Sequence, residues 1–133
     1  MLKITSFVYC SAIEQAPNGP ALRGILQFLA PKMLPTEYSF SVSFGVFDLR
    51  NMESLKVRYI FKDPDGEKVN DTNHVDIPLS EDMQQHNHIG MQLNLDLKNV
   101  VLSKQGEYCS EVYINEKLAG TYPIDVILQE KKE

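Results

Sequence analysis

From Ile89 to Leu97 every odd position is apolar (Ile89, Met91, Leu93, Leu95, Leu97) and every even one is glycine or polar. A helix would scatter those five apolar side chains around its circumference, whereas a strand puts them on one face. Tyr38, Phe40, Val42, Phe44 and Val46 repeat the pattern against Ser39, Ser41 and Ser43. Leu55, Val57, Tyr59 and Phe61 do so again, opposed by Lys56 and Arg58. Turn residues punctuate these runs. Pro17-Asn-Gly-Pro20 separates two apolar stretches, and Asn-Gly tolerates the positive φ of a tight hairpin. Asp63-Pro-Asp-Gly66 follows one strand and feeds another, and Asn115-Glu-Lys117 marks a third hairpin.

The expected strands cover 2–10, 22–30, 38–48, 55–62, 68–77, 89–97, 108–114 and 118–128. Ser80-Glu-Asp82 has the hydroxyl and acids that suit one helical turn. Nothing is long enough for a βαβ crossover, which argues against a parallel α/β sheet. The pattern predicts an all-β fold, an antiparallel sandwich of seven or eight strands in one domain over 1–128, with 129–133 as a frayed tail.

Two strands carry apolar residues on both faces. In 2–10, Leu2, Ile4, Val8 and Cys10 oppose Phe7 and Tyr9. In 22–30, Leu26 and Phe28 oppose Ile25 and Leu29. One sandwich core hides only one face. The second is either capped by the 31–37 loop with Met33 and Leu34, or is a contact surface formed by Phe7, Tyr9, Ile25 and Leu29.

Composition fits this picture. A chain of 133 residues that is 43% hydrophobic and 23% charged buries a core without metal or disulfide staples. The net charge of -5 disfavours nucleic acid, which needs clustered Lys and Arg. No run approaches the ~20 apolar residues of a membrane span, and the N-terminus lacks a signal-type apolar core, so the expected compartment is cytoplasmic. An Ig-like sandwich could bridge two strands such as those of Cys10 and Cys109. The reading taken is two reduced core thiols.

Candidate chemistry is sparse. His86-Asn-His88 would put two imidazoles on one face of a strand, and His74 or a carboxylate could complete a metal site. Its plainer reading is solvated histidines at a loop-to-strand junction. Asp63, Asp65 and Glu67 cluster like a calcium loop, but the glycine falls early and no bidentate Glu closes it, which favours a type I turn. Neither cysteine has a local base. No nucleophile elbow, phosphate loop, dinucleotide fingerprint or zinc-protease motif occurs, so no catalytic residue and no cofactor is expected.

Three stretches carry a resemblance: Ile4–Cys10 with Leu22–Phe28, Pro31 and Pro35; Tyr59–Gly66; and Gln105–Tyr108 leading through Val112–Asn115 to Tyr122–Val126. Together they resemble a family of small uncharacterised bacterial and phage proteins with an Ig-like β-sandwich. Gly106-Glu-Tyr108 looks like the corner tyrosine of Ig-type domains, with its hydroxyl bonded to backbone. Cys109 directly after that tyrosine, and the lack of tryptophan, depart from the antibody pattern. The resemblance implies no enzyme activity and suggests a phage-borne accessory or inhibitory protein.

The sequence therefore points to a non-catalytic binding or assembly module that contacts a protein partner or a second copy. The alternatives are a small metal-dependent enzyme or metal-regulated module around His74, His86 and His88, and a structural subunit of a larger particle.

Overall fold

Alternating segments become strands once the turns between them let neighbours pair. The computed structural model describes residues 3–47, 54–79 and 90–129, and these form ten strands and no helix. In chain order they are β1 (Lys3–Ala16), β2 (Gly19–Leu26), β3 (Phe28–Leu29), β4 (Thr36–Phe47) and β5 (Ser54–Lys62). β6 (Lys68–Asp71), β7 (Val75–Pro78), β8 (Gly90–Leu102), β9 (Gly106–Ile114) and β10 (Lys117–Val126) follow.

One sheet has the order β2-β1-β4-β8. The other runs β3-β10-β9-β5-β6, and β7 also pairs with β5. Every pairing is antiparallel except the short parallel contact of β3 with β10. The register joins the clearest alternations to one another. Phe40, Val42, Phe44 and Val46 of β4 sit opposite Leu97, Leu95, Leu93 and Met91 of β8. The apolar rows of both sheets meet in one core built around Phe40, Phe44, Leu55, Tyr59, Phe61 and Tyr108.

Eight expected segments become ten strands because two of them break. Segment 22–30 changes sheets at Gln27, so β2 pairs with β1 while β3 pairs with β10. Segment 68–77 breaks at residues 72–74, where Asn73 has φ of 58°. Both halves stay on β5, and the Tyr59 amide donates to Thr72 Oγ1 at 3.0 Å. The turns follow the expected chemistry. Asn115 and Glu116 both have positive φ, as a two-residue hairpin with matched twist requires. Beyond β10 the Gln129 amide still donates to the Pro31 carbonyl at 2.8 Å, so pairing extends into the segment expected to fray. The helical turn expected at Ser80–Asp82 lies outside the described residues.

Candidate functional site

The acidic turn that looked chemically capable is occupied by structural work. Asp63 Oδ1 accepts the amides of Asp65 and Glu67, each at 2.9 Å, and its carbonyl accepts from Gly66 at 3.0 Å. Lys104 pairs with Asp65 across the same turn. The acidic cluster is thus a capped turn with its own cation. His74 is exposed between β6 and β7, while His86 and His88 lie outside the described residues. Among the described residues no group of three or more His, Cys, Asp or Glu side chains could hold a metal ion.

Cys10 and Cys109 are unlinked. The sequence suggested two reduced core thiols; Cys10 is fully buried and Cys109 half-buried, but neither joins the central hydrophobic cluster. Cys10 lies on the outward side of β1 beside Ser41, and Cys109 on the outward side of β9 between the inward-facing Tyr108 and Ser110. Burial pushes both thiols up; the charge of Asp96 adds to this at Cys10, and those of Glu111 and Glu107 at Cys109. Such thiols are poor nucleophiles at neutral pH.

The expected contact surface of Phe7, Tyr9, Ile25 and Leu29 does not exist as one face. A bulge at Ser6, with φ of 51°, shifts the β1 register between Thr5 and Val8. An extra residue flips the side-chain parity, so Ile4 before the bulge and Phe7 and Tyr9 after it all meet the core. The sheet change after Leu26 carries Leu29 under β10, where it is fully buried. Only Ile25, at 59% exposure, stays on the outer surface.

What the bulge delivers is a closed flank. Phe7 stacks on Tyr122 at 4.1 Å and on Phe44 at 5.6 Å, and Tyr9 leads through Phe40 and Phe61 to Tyr108. Hydroxyls run through the same region. Tyr9 lies 2.6 Å from the Tyr122 carbonyl and 2.5 Å from Ser110 Oγ, which lies 2.6 Å from the Tyr59 hydroxyl. Counting hydrogens fixes the direction. A carbonyl only accepts, so Tyr9 spends its one hydrogen on Tyr122 and must accept from Ser110. Ser110 then has no hydrogen left for Tyr59 and accepts from it. Tyr59 to Ser110 to Tyr9 to Tyr122 is one directed chain that ties β1 of one sheet to β5, β9 and β10 of the other. Burial raises the Tyr9 and Tyr59 hydroxyls well above the usual phenol range, which keeps them neutral donors.

The corner tyrosine is equally specific. Tyr108 is fully buried and its hydroxyl donates to the Lys104 carbonyl at 2.9 Å. Gly106 makes the approach with φ of 138°, and a Cβ there would meet Pro64 Cγ at 2.8 Å.

The opposite flank is open. Val75 lies opposite the buried Val57, so it faces the interior, yet it is 46% exposed. Ile77, Met91, Leu93 and Leu95 face inward and are only half-buried. Between them runs a cleft of about 110 Å³ with Phe44 and Val57 among its lining residues. Thr72 and the strand position of Asn94 complete its lining. β8 borders the cleft at the end of its sheet, with no strand on its far side among the described residues. The other sheet ends are blunted. β3 has two residues, β6 and β7 have four each, and β2 carries Pro20 and a kinked Gly24 with φ of 66°. β8 runs regularly from Gly90 to Leu97 before its register shifts, with φ of 56° at Asn99.

Sequence reading missed this site. The β8 alternation was legible, but a half-covered row and a buried row have the same letters. The signal that could have found it is the run Gly90–Leu97, which has no Lys, Arg or Pro to guard an edge.

A family model described as a family of unknown function, DUF6941, matches residues 5–127. No curated protein matches. Among solved structures, an immunoglobulin-like protein from Pseudomonas aeruginosa superposes with a TM-score of 0.50 at 12% sequence identity. The match covers 96% of this chain and 97% of that one. At that identity the likeness speaks for the fold, an Ig-like β-sandwich.

Proposed function

Because the chain belongs to the DUF6941 family of unknown function, we propose, from its Ig-like fold and its open flank, that it is a non-catalytic binding module acting through protein–protein contacts. The observation that carries this reading is the unfilled interior beside β8. Inward-facing Val75, Ile77, Leu93 and Leu95 are left partly in water. Apolar surface of that kind is stabilised when another chain covers it. The outer face of the β5–β9 sheet is laced with ion pairs, Lys62 with Glu111 at 3.1 Å and Arg58 with Asp71 at 2.5 Å.

The test is photo-crosslinking in the native host from a benzoylphenylalanine placed at Val75, with Glu116 on the distal hairpin as control. The expected result is one protein captured from position 75 and not from 116. That protein, purified, should co-elute with this chain at fixed stoichiometry. Capture of nucleic acid alone, or of nothing at either position, overturns the reading. A large uniform assembly of this chain by solution mass replaces it with a structural-subunit role.

A further inference from the structure

Among the described residues no strand pairs with the far edge of β8, and that edge and the cleft run along the same line; together they specify an occupant. A row of unpaired N–H and C=O groups is satisfied along its length only by another extended strand. Resting on the protein-binding reading above, we infer that Gly90–Leu97 takes up an extended segment of a partner protein as an added strand. Every second side chain of that segment is apolar and enters the cleft beside Leu93 and Leu95. A Lys or Arg between them faces Asp96.

Side-chain parity gives the pattern. Neighbours across a ladder point to the same side, so the added strand continues the inward row of Met91, Leu93 and Leu95 toward Val75 and Ile77. Its other side chains continue the outward row of Gln92, Asn94 and Asp96. The Ser41 hydroxyl donates to Asp96 at 2.6 Å, but no cation pairs with Asp96 among the described residues. With a chain charge of -5, a basic segment is favoured at both short and long range.

The same chemistry weighs against two other occupants. Residues 80–89 of this chain hold two apolar side chains, Met83 and Ile89, and add the acids Glu81 and Asp82. They offer neither the alternation nor the cation. A second copy pairing β8 with β8 along Gly90–Leu97 brings no Lys or Arg to Asp96, because that stretch contains none.

Random dodecapeptides displayed on phage and panned against the whole protein test the inference. Selected peptides should alternate apolar residues and carry Lys or Arg between them. Binding of the synthetic peptide, read by anisotropy, should weaken about tenfold or more with Val75→Glu and about fivefold with Asp96→Asn. Asp96→Asn removes the charge and keeps an acceptor for Ser41. Thr121→Glu, on β10 of the other sheet, should change nothing. N-methylating alternate peptide amides should abolish binding in one parity and spare it in the other, since only one set points at the edge. Both single variants should keep the wild-type thermal midpoint within a few degrees, because both side chains are exposed. The inference is overturned if no peptide is selected, if both variants bind normally, or if both methylation parities behave alike. It is also overturned if the free protein is a dimer that Val75→Glu dissociates. A peptide that binds elsewhere on the chain defeats the inference and leaves the protein-binding reading standing.

Discussion

The two flanks of this sandwich are made of the same strand chemistry and are finished differently. On the β1–β10 side, five aromatic rings and a directed hydroxyl chain close the gap between the sheets. On the β7–β8 side the inward row meets no further strand among the described residues, and a cleft remains. A bulge at Ser6 adds Phe7 and Tyr9 to the core, while among the described residues no equivalent device brings β8 and β7 together. Closure here depends on where the register shifts, more than on how apolar a strand is.

The largest effect should separate the flanks outright. Phe40→Ala removes a ring packed between Tyr9 and Phe61, and should cost about 3–5 kcal/mol. Val75→Ala, on the open side, should cost less than about 1 kcal/mol. Urea midpoints measure both, and equal losses would mean that the cleft is as well packed as the core.

The hydroxyl chain predicts an order within the closed flank. Ser110→Ala strands the buried Tyr59 hydrogen and should cost about 2–3 kcal/mol. Tyr59→Phe removes only the first donor, leaves no buried hydrogen unpaired, and should cost about 1 kcal/mol or less. Tyr9→Phe strands the Ser110 hydrogen and should fall between them. Tyr59→Phe proving the most damaging would reverse the assigned direction. Tyr108→Phe loses the bond donated to the Lys104 carbonyl and the longer one accepted from the Lys104 amide, and should lower stability by about 1 kcal/mol.

Sequence pattern revealed one flank of this contrast better than the other. The inward rows of β4, β5 and β8 were legible because a strict period of two leaves a strand only one way to face a core. The hairpin at Asn115 and the turn at Asp63 were legible from turn chemistry. The fate of Phe7 and Tyr9 was not. A one-residue bulge leaves no trace in a hydrophobic pattern except apolar residues in both parities, which reads equally as a two-faced strand. Leu29 misled for a related reason, since a sheet change after Leu26 reverses the meaning of parity. The cleft depends on how far two edge strands stand apart, a tertiary quantity absent from either strand alone.

The smallest effect concerns the wall of the open flank, and it should depend on pH. Asp71 ends β6 and receives Arg58 Nε at 3.0 Å and Nη2 at 2.5 Å, with the Asn73 amide at 2.8 Å. The Arg58 guanidinium holds its carboxyl well below the usual carboxylate range. A carboxylate whose folded pKa is depressed contributes stability that is fully present above its unfolded value, about 4. That contribution is lost as pH falls through the folded value. Asp71→Asn removes it at every pH. The variant should therefore be less stable than wild type at pH 7, and the gap should close in strong acid. Both side chains are partly exposed, so salt should narrow the gap as well. Local opening should follow the same course. Amide hydrogen exchange at Val69–Thr72 should quicken in the variant while exchange at Ser110–Val112, on the inner strand β9, stays near wild type. A pH-independent gap would assign the loss to packing and not to charge. Equal quickening in both segments would show that the two flanks open as one unit.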